Sequence, residues 1–199
     1  MPRYILTGTP GAGKTALLRG LEVNGQAVVE EAATDVMALR QSLGDDEPSK
    51  DPSFIDAIVG LQRQRESRAR AAEADVIYFD RSPICTLALS RYLRFPTSPL
   101  LAAEIDRIVQ HAVYSATVFF VRNQGSIQAT AARRITFEDS LTFEQLHEDT
   151  YRQWGFELVE VPAGPLVQRI ALVQQTVEQL QRNSSSAQAG LREASGEGS

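Results

Sequence analysis

Residues 3–15 read RYILTGTPGAGKT, and the expected fold follows from that stretch. Tyr4, Ile5 and Leu6 form a short apolar run of the kind found in strands covered on both faces. Directly after it, Gly8-Thr9-Pro10-Gly11-Ala12-Gly13-Lys14-Thr15 satisfies G-x-x-x-x-G-K-[ST] in full. Glycines at these positions let the backbone wrap tightly enough to aim successive N–H groups at a phosphate. The following ALLRGL (16–21) reads as a helix, whose N-terminus adds favourable partial positive charge. Lys14 would reach the β- and γ-phosphates of ATP, and the Thr15 hydroxyl would sit on Mg²⁺. Gly8, Thr9, Pro10, Gly11, Ala12, Gly13, Lys14, Thr15 and Ala16 are therefore the expected nucleotide contacts.

Outward from this loop, strand-like and helix-like segments alternate, the pattern of an α/β domain built on a mostly parallel sheet. Strands are expected at 3–8, 26–30, 75–80, 116–122 and 156–161, all short runs rich in Val, Ile and Phe. Helices are expected at 14–23, 31–43, 53–74, 97–114, 142–154 and 165–182. Ser98-Pro99 supplies a cap followed by proline at the first helical position. Thr142 and Gln145 have the spacing of a capping box. After Asn183 the chain turns to SSSAQAGLREASGEGS, too poor in apolar residues to offset the entropy of ordering. The expectation is one α/β domain over 1–183, a three-layer P-loop fold with a five-stranded, mainly parallel sheet. A disordered tail is expected over 184–199.

Composition narrows the function. Hydrophobic residues make up 43% and charged residues 23% of the 199, a globular balance. The formal net charge of -5 argues against a nucleic-acid partner, which calls for a basic face. Cys85 is the single cysteine, which excludes an intrachain disulfide framework and a cysteine-based zinc site. No apolar run approaches a membrane span, and MPR runs straight into YILTG without a leader-like pattern. A cytoplasmic location is expected.

Further candidates lie where the other strands end. Val76-Ile77-Tyr78-Phe79-Asp80 is an apolar strand closing on an acid, which would hold Mg²⁺ directly or through water; a strand-end turn is the plainer alternative. Arg81 and Ser82 follow, rather than the glutamate of an ATPase motor, and the chain holds no N-K-x-D guanine reader. An acid–Arg pair is what small-molecule P-loop kinases use, with the arginine on a substrate phosphate or carboxylate. Glu30 and Glu31 end the second strand, and Glu31 is preferred as general base over the alternative of a charge at a helix N-terminus. Residues 123–134 form either a lid carrying Arg133 or Arg134 over the transferring phosphate, or a solvated basic turn. Arg63, Arg65, Arg68 and Arg70, with Glu66 and Arg70 spaced as an i,i+4 pair, read as a solvated helix face. Cys85, Phe143, Tyr151 and Trp154 read as core.

Taken together the residues resemble the NadR-like AAA domains, P-loop proteins that include the ribosylnicotinamide kinase part of bacterial NAD regulators. The likeness covers roughly residues 3–175 and rests on LTGTPGAGKT, VVEEAA, Phe54 with Gln62, FDRS with the following TLAL, TAARR and YRQWGFELVEVP. It implies Lys14 and Thr15 at nucleotide and metal, and Glu31, Asp80 and Arg81 around the acceptor. It also implies Gln62 near the substrate and Arg133 in the lid. Where the family pattern carries Arg, Asp and Asp, this chain has Thr34, Cys85 and Thr130. The reading that results is a nucleotide-binding protein that transfers the γ-phosphoryl group of ATP, with Mg²⁺, to a small hydroxyl-bearing metabolite. The alternative is a regulatory or adaptor ATPase that signals by its bound state.

Overall fold

The computed structural model describes residues 1–70, 74–124 and 137–196. Five parallel strands form one sheet: β1 (Arg3–Thr7), β2 (Ala27–Val29), β3 (Ile77–Asp80), β4 (Thr117–Val121) and β5 (Glu157–Val161). Their order is β2-β3-β1-β4-β5, so the strand that feeds the phosphate loop is central. Register pairs Ile5 with Phe79 and Leu6 with Asp80 on one side, and Ile5 with Val118 on the other.

Side chains along a strand alternate between faces, and both faces are covered. Tyr4, Leu6, Tyr78, Phe119 and Val121 bury against α1 (Lys14–Val23) and α7 (Leu166–Gly196). Ile5, Ile77, Phe79 and Val118 bury on the opposite face. There they meet α3 (Ser53–Ala69), α4 (Pro83–Tyr92), α5 (Pro99–Gln110) and α6 (Phe137–Gln153). The remaining helix, α2 (Ala32–Ser42), packs Ala32 and Val36 on Phe54 and Ile58 of α3. Three layers result, as expected.

Several boundaries differ from the sequence expectation. The Ser98 hydroxyl does cap α5, accepting the Leu101 N–H at 3.1 Å, but the helix stops at Gln110 because Val113 and Tyr114 turn into the core. Thr142 does not open α6, which starts earlier at Phe137 and places Thr142 inside the helix. Helix α7 continues to Gly196, past Asn183, where composition predicts disorder. Among its described side chains the last buried one is Val177, and the exposed Ser184, Ser185 and Ser186 hydroxyls bond back to carbonyls one turn earlier. At Ser184, Ser185 and Ser186 the helix is thus solvated, with local hydrogen bonds in place of a core contact. The predicted lid from Gly125 onward, with Thr130, Arg133 and Arg134, lies outside the described residues. No helix among the described residues is long and apolar enough to cross a membrane.

Candidate active site

The phosphate loop turns between β1 and α1, and two of its glycines are sterically required. Gly8 has φ 131°, and a Cβ there would lie 2.2 Å from the Val121 carbonyl of β4. Gly13 has φ 81° and caps α1 in the left-handed region. The Lys14 ammonium folds back over the loop and donates to the Thr9 carbonyl at 2.7 Å. Burial lowers its pKa to about 8, aided by the nearby Arg81 charge and against the attraction of Asp80 and Glu31.

Asp80 ends β3 beside the loop, paired in register with Leu6. It is 5% exposed, and its Oδ1 is buried without a hydrogen-bond partner. Burial pushes the carboxyl up to about 6, with Lys14 and Arg81 pulling it down and Glu31 pushing it further up. An orphaned carboxylate oxygen near Lys14, together with the Thr15 hydroxyl of the same loop, is the donor set a hard cation uses when phosphates supply its other ligands. Thr15 and Asp80 therefore fit Mg²⁺. Among the described residues no cluster of three or more acids, histidines or cysteines could hold a metal by itself.

Arg81 takes a left-handed φ of 72°, a conformation that costs a non-glycine residue energy and is retained where surrounding contacts enforce it. Its N–H donates to the Leu6 carbonyl at 3.0 Å, and its Nε forms an ion pair with Glu31. The other end of the guanidinium lies 3.4 Å from His147 Nε2. Burial alone would raise the Glu31 carboxyl; Arg81 and Lys14, with the Thr34 hydroxyl bond at 2.8 Å, outweigh it and hold the group at about 2. Glu30 instead points outward to Arg19. Of the two glutamates, Glu31 lines the cavity beside the phosphate loop and Glu30 does not.

Beyond Glu31 and Arg81 opens a cavity of about 570 Å³ that shares Gly11, Gly13, Lys14 and Thr15 with the phosphate loop. Its walls are apolar: Met37, Phe54, Ile58, Leu89, Leu93 and Phe143. Gln62 and Thr86 supply polar groups, the Thr86 hydroxyl donating to Gln62 Oε1 at 2.9 Å. Cys85 also faces this cavity, in contact with Thr7 Oγ1 at 2.8 Å and Tyr151 OH at 3.4 Å. It is thus a wall of the site and more than the core packing expected of it. Phe143 likewise serves both core and cavity. The solvated basic face on α3 is overturned in part. Arg65 donates to the Glu31 carbonyl at 2.6 Å, and Glu66 is buried among Arg3, Arg70 and Arg107.

The sequence matches the AAA-domain family over residues 3–169. The chain belongs to that family. Solved structures place this AAA domain further by shape. A deoxyadenosine kinase from M. mycoides with bound dATP superposes with a TM-score of 0.53 at 16% identity, covering 88% of this chain and 99% of that one. The same kinase with bound dCTP gives 0.58 at 16%, over 89% and 99%. Thymidylate kinase from Candida albicans gives 0.59 at 10%, over 90% and 92%. At such identities the likeness fixes the fold: a P-loop domain of the nucleoside- and nucleotide-kinase shape. Among curated protein sequences there is no significant match to this chain.

Two groups at the nucleotide end escaped the sequence reading. Gln124 donates to the Ala12 carbonyl at 3.3 Å and accepts from the Gly164 N–H at 3.4 Å. Arg169 of α7 donates to the same carbonyl at 2.8 Å. The one signal for Arg169 was its place among Leu166, Ile170, Val173 and Val177, a charge set into an apolar stripe.

Proposed function

We propose that this AAA domain binds ATP with Mg²⁺ and transfers the γ-phosphoryl group to a hydroxyl of a small acceptor held in the apolar cavity. The observation that carries this reading is the Glu31–Arg81 pair on a wall common to phosphate loop and cavity. The loop amides and Lys14 hold the phosphates, while the cavity holds the acceptor's apolar body and Gln62 offers it a hydrogen bond. The acceptor oxygen attacks the γ-phosphorus as the bond to the β–γ bridging oxygen breaks, leaving ADP; Glu31 takes the hydroxyl proton. Arg81 orients Glu31 and stabilises charge on the transferring group. Mg²⁺, held through Thr15 and Asp80, would supply charge neutralisation across the β- and γ-phosphates. Arg133 is proposed as the lid arginine.

A carboxylate with so low a pKa is a weak base. That suits phosphoryl transfer, whose loose transition state needs the proton removed late. The test is a screen of γ-labelled ATP against a metabolite panel, with parent and Glu31→Gln. Label should arrive on one hydroxyl compound, and Glu31→Gln should lower turnover by about 10²–10⁴-fold with ADP affinity little changed. Tight ATP binding with no labelled acceptor would assign the regulatory role instead.

A further inference from the structure

Arg169 projects from the first turn of α7, is 5% exposed, and sits behind the phosphate loop. Its Nη2 donates to the Ala12 carbonyl at 2.8 Å. Its Nη1 lies so close to Gly13 that a Cβ on that residue would be 2.9 Å away. Its Nε is buried without a hydrogen-bond partner. No ion pair reaches it among the described residues, and the one influence on its ionisation is burial, which disfavours the charged form. A guanidinium keeps its charge even so, and burying an uncompensated cation is costly. Arg81 and Arg3, by contrast, each have a carboxylate beside them, Glu31 and Glu66.

The contact with Ala12 has a direction. In a trans peptide the carbonyl and the next N–H point opposite ways, and there are no cis bonds among the described residues. With the Ala12 carbonyl turned outward to Arg169 and Gln124, the Gly13 N–H is turned inward, into the loop that receives phosphate. Donors on the carbonyl also polarise the peptide and strengthen its N–H as a donor.

We propose that Arg169 is a phosphate-positioning residue of the nucleotide site. It fixes the Ala12–Gly13 peptide with its N–H toward the phosphates, and its buried charge finds its counter-charge in the bound polyphosphate. The inference rests on the nucleotide-binding half of the proposed function and is independent of which acceptor is phosphorylated. Arg169 costs the empty protein stability and recovers it in the nucleotide complex.

The test uses the full chain as parent, Arg169→Met, Arg169→Gln and Arg169→Lys. ADP affinity is measured by calorimetry at two salt concentrations, and the melting midpoint without nucleotide is measured beside it. Arg169→Met and Arg169→Gln should weaken ADP by roughly ten- to a hundredfold, the scale of a charge-assisted hydrogen bond. Arg169→Lys should recover most of that loss. The salt dependence of ADP binding should flatten in Met and Gln but not in Lys. The nucleotide-free midpoint of Arg169→Met should equal or exceed the parent's. Parent-like ADP affinity in Arg169→Met overturns the proposal. So does a nucleotide-free midpoint several degrees lower in all three variants, including failure to fold, which marks Arg169 as a brace for α7. Absence of ADP binding by the parent overturns the proposed function itself, a result distinct from either.

Discussion

Asp80 and Glu31 sit on neighbouring strand ends and are displaced in opposite directions. Asp80 is pushed from 3.8 to about 6 by burial, an increase that survives the attraction of Lys14 and Arg81. Its folded pKa lies above the unfolded one, so its ionised form costs stability above pH 6, and the cost fades as pH falls from about 6 toward 3.8. Asp80→Asn should therefore stabilise the nucleotide-free protein at pH 7, by up to about 3 kcal/mol on the scale of 1.36 kcal/mol per pKa unit, and raise its melting midpoint. Near pH 4 the gain should be gone. A scan of midpoint against pH for both proteins decides it, and a lower midpoint for Asp80→Asn at pH 7 would show that Asp80 anchors Lys14 and Arg81 more than it strains them. Glu31 runs the other way. Held at about 2 against an ordinary 4.5, it stabilises the fold above pH 4.5, and that contribution is lost as pH falls from about 4.5 to about 2. Its ionisation is complete across physiological pH, so an acid limb in turnover near pH 6 would not come from Glu31.

The turn from β2 into α2 shows what an element contributes to a residue. Arg65 of α3 donates to the Glu30 carbonyl at 3.0 Å and the Glu31 carbonyl at 2.6 Å, and pairs with Asp35 of α2. It pins the backbone that carries Glu31 onto the helix that carries Gln62. Arg65→Ala should lower turnover by at least about tenfold, because small misplacements of a catalytic group are costly, while ADP affinity stays within about twofold. Equal losses in both would mean that the arginine merely supports the domain. Sequence reading took Arg65 for a solvated residue because its partners, two carbonyls of the turn after β2 and Asp35, lie 30–35 residues away, and carbonyls leave no trace in composition. The phosphate loop was legible for the converse reason: Gly8 to Thr15 act together while adjacent in the chain, and each glycine carries a backbone requirement that spacing records. Asp80 and Arg81 were legible because the apolar run before them fixes the strand end. Phe143, Cys85 and Arg169 were read as core or passed over, since the cavity and loop they face are assembled from separate helices. At the far end of α7 the apolar stripe is spent by Val177 and the partly buried Leu180. Removing residues 184–199 should therefore shift stability by no more than about 0.5 kcal/mol, the scale of changes away from packed features. A midpoint lower by several degrees would reveal a docked extension.

Across the whole molecule the two ends of the sheet divide the work. The carboxyl ends of β1, β2 and β3 carry the phosphate loop, Glu31 and Asp80, with an orphaned carboxylate oxygen and a left-handed Arg81 among them. Such features weaken the empty fold. Toward the amino end of β1, Glu66 of α3 is 2% exposed and ion-paired with Arg3 at 2.6 Å, Arg70 at 2.8 Å and Arg107 at 3.3 Å. Arg107 also pairs with the buried Glu104 at 2.7 Å. Read from sequence as one exposed i,i+4 pair, Glu66 would be worth about 0.3–0.5 kcal/mol. As the shared acid of three arginines it is worth more than that, because its removal takes a buried acceptor from the partly buried Arg3 and Arg107, at a cost of about 1.5–3 kcal/mol. Glu66→Ala should accordingly lower the melting midpoint by roughly 3–12 °C for a domain of this size. Because the cluster lies at the opposite end of the strands from the phosphate loop, ADP affinity measured well below the transition should remain that of the parent. A shift of only a degree or two would mean that the arginines find solvent or Glu104 instead. Weakened ADP binding in the folded variant would mean that strain at one end of β1 reaches the other, and the division of labour would fall.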